Sequence, residues 1–247
     1  LQCLPGKWDE FQLSAVTHDV YRELIYRRID EKKYNIVIEN VADVFLVDLG
    51  KVRAKKMNCL QLLSAKTRQK IRRSIRAYEE QGKVEVEIAK DRKSAQRMLA
   101  DLAQLHEKSW KERGKTGSFS NPYFMKFHQE LIDNCYENRE LELLHVFNKH
   151  STLGYLYNFI YDGDVLFYQC AFNFIKNNKF SPGLTSLVYA INKYAKFNYK
   201  SFNFLAGNMQ YKKSLSTDCE KMYWIKIQKN KARFILERKL KEFIRKG

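Results

Sequence analysis

Two adjacent segments, residues 152–161 and 165–174, are apolar at nearly every position and constrain the fold more than any other feature. Asp162-Gly163 lies between them, and this dipeptide is a strong signal for a tight hairpin turn. A strand that is apolar at both alternating sets of positions needs cover on both faces. We therefore predict a hairpin inside a sheet that has helices on each side.

The rest of the chain alternates between strand and helix patterns. Ser64 is a suitable N-cap for a helix that ends before Gly82, and Asn121-Pro122 starts another. The fold class is therefore mixed α/β, with a central sheet flanked by helices. Further strands are predicted at 34–39, 44–49, 84–88, 140–147, 201–205 and 221–227, with further helices at 94–111 and 182–197. The predicted parts are a partial α/β segment (1–60), the main domain (61–228) and a basic C-terminal helix (229–247).

The net charge of +17 at pH 7 is concentrated in two segments. Residues 51–76 hold ten basic residues and no acidic one, and residues 221–247 hold ten basic residues against Glu237 and Glu242. Such segments attract polyanions or phosphorylated ligands through long-range fields. Charge alone does not distinguish RNA, anionic lipid and a nucleotide cofactor.

Composition excludes several classes of protein. No apolar run approaches the roughly 20 residues that span a bilayer, and Asp9 and Glu10 fall where the apolar core of a signal peptide would be. The five cysteines are scattered and the five histidines lack metal-binding spacing, so we expect no metal and free thiols. This cysteine usage indicates a reducing, cytoplasmic location.

The first candidate site is the helix start in NKFSPGLT, residues 178–185. Ser181 is the expected N-cap, Pro182 occupies the first turn, and Gly183 lets a ligand approach the backbone closely. Free N–H groups at a helix start suit a phosphate or pyrophosphate. On this pattern alone, an ordinary capped helix is the commoner explanation.

Polar residues on the buried hairpin form a second candidate. A buried polar group without a partner costs about 1–3 kcal/mol, so these residues either satisfy one another or line a pocket. Strand alternation places Tyr168 and Cys170 on one face and Gln169 on the other, unless the strand bulges. We treat Cys170 as a small core residue. The polar set is Tyr155, Tyr157, Asn158, Tyr168 and Gln169.

Two further groups carry reactive side chains. Tyr211 and Lys212 follow the strand at 201–205, in LAGNMQYKKSL, where ligands of open α/β sheets bind. A surface loop is the alternative there. The other group surrounds the helix at 94–111, where His106 is a candidate base or a structural histidine. Its members are His106, Trp110, Arg113, Gly117 and Phe119, with His128 further along the chain.

These places together resemble a known family. GYLYNF (154–159), FYQCAFN (167–173), PGL (182–184) and FNFLAGNMQYKKSL (202–215) are similar to the CelD-like branch of GNAT acyltransferases, which is associated with cellulose biosynthesis and related to FemAB-type transferases. LLSAKTRQKIRRSIRAYEEQG (62–82), LHEKSW (105–110), GSFSNPYF (117–124) and KFHQELI (126–132) resemble the preceding elements. The likeness runs from about Val47 to Leu215, with the motifs in order.

The resemblance implies a mostly antiparallel sheet in which two strands separate and admit the pantetheine arm of acyl-CoA, acetyl-CoA being the simplest donor. The pyrophosphate would bind at the helix start formed by Ser181, Pro182, Gly183, Leu184 and Thr185. We place Tyr168, Gln169 and Tyr211 at the reaction centre and expect direct transfer to a small-molecule or sugar amine. Trp110, Asn158 and Lys212 are placed around that acceptor. Of the two glycines in the better-known GNAT signature, only Gly183 is present.

Two alternatives stay open. FemAB-type relatives take an aminoacyl-tRNA as donor, and the basic segments would suit tRNA. A non-catalytic protein that binds RNA or a membrane surface is the other alternative, because the C-terminal segment places apolar residues among its lysines.

Overall fold

The computed structural model describes residues 8–237 and residue 240. Within them, the strands are β1 (Glu10–Thr17), β2 (Tyr34–Asp48), β3 (Glu85–Ile88), β4 (Leu141–Asn148), β5 (Ser151–Tyr161), β6 (Asp164–Phe172), β7 (Ser201–Ala206) and β8 (Asp218–Lys229). The α-helices are α1 (Leu49–Ala54), α2 (Ala65–Glu79), α3 (Arg92–Lys111), α4 (Pro122–Cys135), α5 (Pro182–Ala195) and α6 (Gln210–Leu215).

The chain forms two compact units. The larger comprises residues 45–205 and 209–218, and the smaller comprises the described residues of 8–44, 206–208 and 219–240. The division differs from the predicted boundaries at 60 and 228, because β2 is one long strand that enters both units and most of β8 belongs to the smaller. Only 229–237 and 240 of the predicted C-terminal helix lie within the described residues, and 232–237 are helical.

The larger unit contains the predicted mixed sheet, with strand order β2-β7-β6-β5-β4-β3. The pairs β3/β4, β4/β5 and β5/β6 are antiparallel, whereas β6/β7 is parallel. The β5/β6 hairpin turns at Asp162 and Gly163, which both have positive φ as a type I′ turn requires. The predicted fold class, a mostly antiparallel sheet flanked by helices, is confirmed.

Two hydrophobic clusters cover the two faces of this sheet. One contains side chains of α1, α2 and α5, including Val52, Ile71 and Ile191. The other contains side chains of α3 and α4, including Leu102 and Ile132. We refer to these as the α2/α5 face and the α3/α4 face. Their helices begin where the sequence predicts: Ser64 Oγ accepts a hydrogen bond from Thr67 N, and Asn121 Oδ1 accepts one from Tyr123 N.

The smaller unit contains β1, β8 and the first part of β2, in the order β1-β8-β2. The pair β1/β8 is antiparallel, from Glu10 opposite Gln228 to Thr17 opposite Met222. The sequence analysis missed β1, in which the alternation of Phe11, Leu13 and Ala15 is short and ends at Val16, after the register shift between Leu13 and Val16. No helix within the described residues is long and apolar enough to cross a membrane.

Ser74 joins α2 to the start of α5. Its buried hydroxyl accepts from Ser181 N at 2.8 Å and lies 2.8 Å from Thr185 Oγ1. Ser74→Ala leaves both groups without this partner, so the free energy of unfolding should fall by about 1–3 kcal/mol in denaturant titrations. Gln69→Ala, at an exposed position of the same helix, is the control and should change it by less than about 0.5 kcal/mol. Equal stability of the two variants would contradict this role for Ser74.

Candidate functional site

A gap opens between β6 and β7. Their parallel pairing runs only from Asp164 opposite Ser201 to Leu166 opposite Asn203, although β6 continues to Phe172. Leu205, two residues after the last position of β7 that pairs with β6, makes a left-handed turn of the backbone (φ 59°), which is costly for a residue with a side chain. Asn203 Oδ1 accepts from Leu205 N at 2.8 Å, so a local side-chain bond supports the turn.

A β-bulge in β6 decides which face each candidate residue occupies. Tyr157 lies opposite Gln169 and Asn158 opposite Phe167, so Tyr168 is the extra residue. Directly opposed residues share a face, so Gln169 lies with Tyr157 on the α3/α4 face, where Tyr168 also packs. Cys170 packs on the α2/α5 face. Simple alternation would pair Tyr168 with Cys170, and the bulge overrides it.

Tyr168 contacts a histidine that the sequence analysis named only as a distant member of a loose group. Its hydroxyl lies 3.3 Å from Nε2 of His128, whose Nδ1 lies 3.4 Å from the hydroxyl of Tyr157. His128 is fully buried, and burial lowers its pKa, so the imidazole is neutral at pH 7. Phe124 lies one helical turn before His128 and packs on its ring, but no spacing in the sequence indicates the contact with Tyr168.

His106 holds Trp110 in place. Trp110 Nε1 donates to His106 Nε2 at 2.9 Å, while His106 Nδ1 lies 3.2 Å from a Glu107 oxygen. The other Glu107 oxygen accepts from Gly117 N, and a Cβ on Gly117 would lie 2.2 Å from Glu107 Oε1. Because Nε2 of His106 already accepts this hydrogen bond from Trp110, it is not free to accept a proton from a substrate, and His106 has a structural role in this arrangement. The Arg113 guanidinium then lies over the Trp110 ring, 5.8 Å from its centroid.

Tyr211 and Lys212 lie on α6, a short helix where the sequence analysis allowed a loop. The Lys212 ammonium is buried and donates to Leu205 O at 3.2 Å, and burial lowers its pKa. Burial raises the pKa of Tyr211, so the phenol stays protonated. Both side chains lie near Cys170, close enough that a thiolate there would raise the pKa of each. The predicted site residues therefore form two groups, one on each face of β6.

Asn158 lies in the interior, away from both groups. It is fully buried, and its Nδ2 donates to the hydroxyl of the buried Tyr194 at 2.9 Å. Its Oδ1 is buried without a hydrogen-bond partner among the described residues, so its predicted place around the acceptor stays a prediction.

The start of α5 presents free backbone donors. Ser181 is the N-cap residue, but its side chain makes no capping hydrogen bond, contrary to the sequence interpretation. Within the described residues, the amides of Gly183 and Leu184 have no acceptor. Thr185 is buried against Ser74, and the missing Cβ of Gly183 leaves room for the Phe172 ring, which a Cβ would meet at 3.0 Å. The helix start can therefore bind an anion, and its glycine also serves packing.

The outer surface of α2 is strongly basic beside this helix start. Arg73 donates to Asn178 O at 2.9 Å, which brings one guanidinium to the segment before α5. None of the basic residues on α2 forms an ion pair with any carboxylate of the described chain. We call this surface the basic face of α2; its residues are Lys66, Arg68, Lys70, Arg72, Arg73 and Arg76.

A family model described as an acetyltransferase (GNAT) domain matches residues 65–213, which is more than half of the chain. The chain belongs to the GNAT acetyltransferase family. The match includes the gap, the bulge, the start of α5 and α6, so this GNAT domain is a transferase whose candidate site lies within the matched region. Among the described residues, no group of His, Cys, Asp or Glu side chains could hold a metal ion.

Solved structures share the fold of this GNAT protein at low sequence identity. A conserved protein of unknown function from Bacteroides thetaiotaomicron is 10% identical, with a TM-score of 0.58 over 90% of this chain and 70% of that one. L-PGS from Bacillus licheniformis is 10% identical, with a TM-score of 0.54 over 90% and 69%. FemX is 11% identical, with a TM-score of 0.54 over 73% and 61%. No curated protein matches the chain.

Cys170 should be unreactive although it lies beside the gap. Burial raises its pKa to about 12, against 9.0 for an ordinary thiol, so about a thousandfold less thiolate is present at neutral pH. Iodoacetamide at pH 7 should modify the exposed Cys219 and leave Cys170 unmodified until the protein unfolds. Peptide mass spectrometry measures both sites in one sample. Equal rates at the two cysteines would make Cys170 a candidate nucleophile after all.

Proposed function

We propose that this GNAT protein is an N-acyltransferase that moves an acyl group, acetyl in the simplest case, from acyl-CoA to an amine by direct attack. The proposal rests on the gap between β6 and β7. The start of α5, with its free backbone amides, lies beside this gap. Strand edges that face a gap have free N–H and C=O groups, which suit the amides of a pantetheine arm. The CelD-like branch and a cytoplasmic location stay predictions.

Acyl-CoA would be held at two places, its pyrophosphate and its thioester. Its pyrophosphate would meet the amides of Gly183 and Leu184, where the helix dipole favours negative charge. Arg73 lies next to this helix start through its bond to Asn178 O and would add a guanidinium. The thioester would then lie near the bulge in β6.

The reaction needs a neutral amine and a hydrogen-bond donor for the carbonyl oxygen. A C–N bond forms, the C–S bond of the thioester breaks, and the proton of the amine passes through water to the departing CoA thiolate. As the amine attacks, negative charge builds on that oxygen, and a preorganised hydrogen-bond donor stabilises it. Burial raises the pKa of both Tyr168 and Tyr211, so either phenol is protonated and able to donate at pH 7. With Cys170 protonated, no covalent enzyme intermediate is needed. Gln169 stays a candidate at this centre, and Trp110 and Lys212 stay candidates for the acceptor side.

CoA binding tests the proposed donor. Calorimetry should show that CoA binds and that 4′-phosphopantetheine, which lacks the pyrophosphate linkage and the nucleotide, binds at least about tenfold more weakly because one charged contact is worth about 1.5–3 kcal/mol. Arg73→Gln should reduce this difference, whereas Lys111→Gln, an exposed change on α3, should not. Equal affinity for the two ligands would contradict pyrophosphate binding at α5.

The basic face of α2 favours a second candidate, in which the donor is an aminoacyl-tRNA. The face has more unpaired positive charge than one pyrophosphate needs, and a nucleic acid backbone would extend along it. The fold likeness to FemX and L-PGS is compatible with this donor but concerns the fold alone. Transfer assays with labelled acetyl-CoA and labelled aminoacyl-tRNA distinguish the candidates.

In either case, the basic face should capture the donor and take no part in the chemistry. Arg72→Gln with Arg76→Gln should lower the association rate at low salt, and the effect should shrink at 0.15 M salt, where charges are screened over about 8 Å. Lys108→Gln with Lys111→Gln removes the same charge from α3 and is the control. Stopped-flow binding measures the rates. A collapse of turnover at saturating donor would instead place α2 inside the active site.

A further inference from the structure

In the part of the chain that the structure describes, the side chains in contact with His128 are neutral. Apart from its two phenol partners, it packs against aromatic rings, with Phe124 and Phe127 edge-on at 4.5 and 5.1 Å between centroids. Burial is the one influence that displaces its pKa. The titratable groups of this cluster are therefore Tyr157, Tyr168 and, beside Tyr157, the Cys135 thiol.

A neutral imidazole has one N–H donor and one acceptor nitrogen, so two hydrogen-bond arrangements fit the distances. In the first, Tyr157 donates to Nδ1 and Nε2–H donates to the Tyr168 oxygen, which leaves the Tyr168 O–H free. In the second, Tyr168 donates to Nε2 and Nδ1–H donates to the Tyr157 oxygen. Only the first arrangement leaves the O–H of Tyr168 free to donate a hydrogen bond to a substrate.

The burial of Tyr157 selects the first arrangement. Tyr157 is fully buried, and His128 is the hydrogen-bond partner of its hydroxyl within the described residues. In the second arrangement its O–H would lack an acceptor, which costs about 1–3 kcal/mol. Tyr168, by contrast, is half-buried, so its O–H can point to solvent or to a ligand.

We propose that Tyr157 and His128 are positioning residues that hold Tyr168 as a hydrogen-bond donor to the acyl carbonyl oxygen. Tyr157 fixes the tautomer of His128, and Nε2–H of His128 then occupies the Tyr168 oxygen and directs its O–H outward. His128 makes and breaks no covalent bond and carries no proton to the substrate. The inference rests on the proposed function, because it needs an acyl carbonyl near Tyr168.

Nitrogen NMR tests the tautomer without any activity. Labelled imidazole should show hydrogen on Nε2 of His128 in the wild-type protein, and a mixture of tautomers in Tyr157→Phe. Hydrogen on Nδ1 in the wild type would overturn the inference. If Nε2–H is found but no acyl donor is turned over, the proposed function fails while the tautomer assignment stands.

Kinetics test the link to Tyr168. Tyr168→Phe should lower kcat by about a hundredfold, as for the loss of one oxyanion donor, and Tyr157→Phe by about tenfold, both with unchanged KM. The double variant should match Tyr168→Phe alone, because Tyr157 acts only through Tyr168. If the kcat losses of the two single variants multiplied in the double variant, Tyr157 would act independently of Tyr168, which would contradict the inference.

Two substitutions of His128 separate positioning from packing. His128→Gln places an amide near the former Nε2 and should retain more kcat than His128→Asn, whose amide lies near the former Nδ1. Phe124→Leu changes the same cluster without removing a hydrogen bond, so it should lower the melting temperature and spare kcat. Equal kcat in the Gln and Asn variants, or a loss in Phe124→Leu as large as theirs, would reduce His128 to a packing residue and overturn the inference.

Discussion

Strands β5 and β6 are buried from both sides, and the rest of the larger unit is arranged to provide that burial. Leu156 and Val165 pack with α1, α2 and α5, whereas Tyr157 and Ala171 pack with α3 and α4. Removing apolar area from water is the dominant favourable term in folding. Because both faces of the hairpin need cover, helices must lie on each side of the sheet, and a ligand can reach its centre only where strands separate.

The gap between β6 and β7 combines two local departures from regular strand geometry. Leu205 takes a left-handed backbone, with its N–H bound by Asn203 and its C=O bound by Lys212. Tyr168 is the extra residue of a bulge. Strained or irregular backbone persists where surrounding contacts hold it, and such places cluster at functional sites. The two departures lie on the strands that border the gap, which is why we place the reaction there.

The likeness to FemX and L-PGS concerns the fold alone, so the choice of donor has to be argued from this chain's own residues. In the proposed reaction Tyr168 acts on the carbonyl oxygen, so its contact with His128 would serve either leaving group. The choice of donor would depend instead on the start of α5 and on the basic face of α2. On this proposal we expect donor choice and acyl transfer to be separable, with substitutions on α2 affecting the first and substitutions on α4 the second.

The sequence by itself determined the order of strands and helices from α2 to β7, the hairpin turn at Asp162-Gly163, the start of α2 at Ser64 and the family to which the chain belongs. Those features follow from residue periodicity, from capping and from motif order, which are local along the chain. Only the tertiary structure decided the faces of Tyr168 and Cys170, because one bulged residue reverses the alternation on which a face assignment depends. It alone brought His128 to Tyr168, 40 residues away, and buried Asn158 beneath Tyr194, since such contacts depend on how helices pack on the sheet.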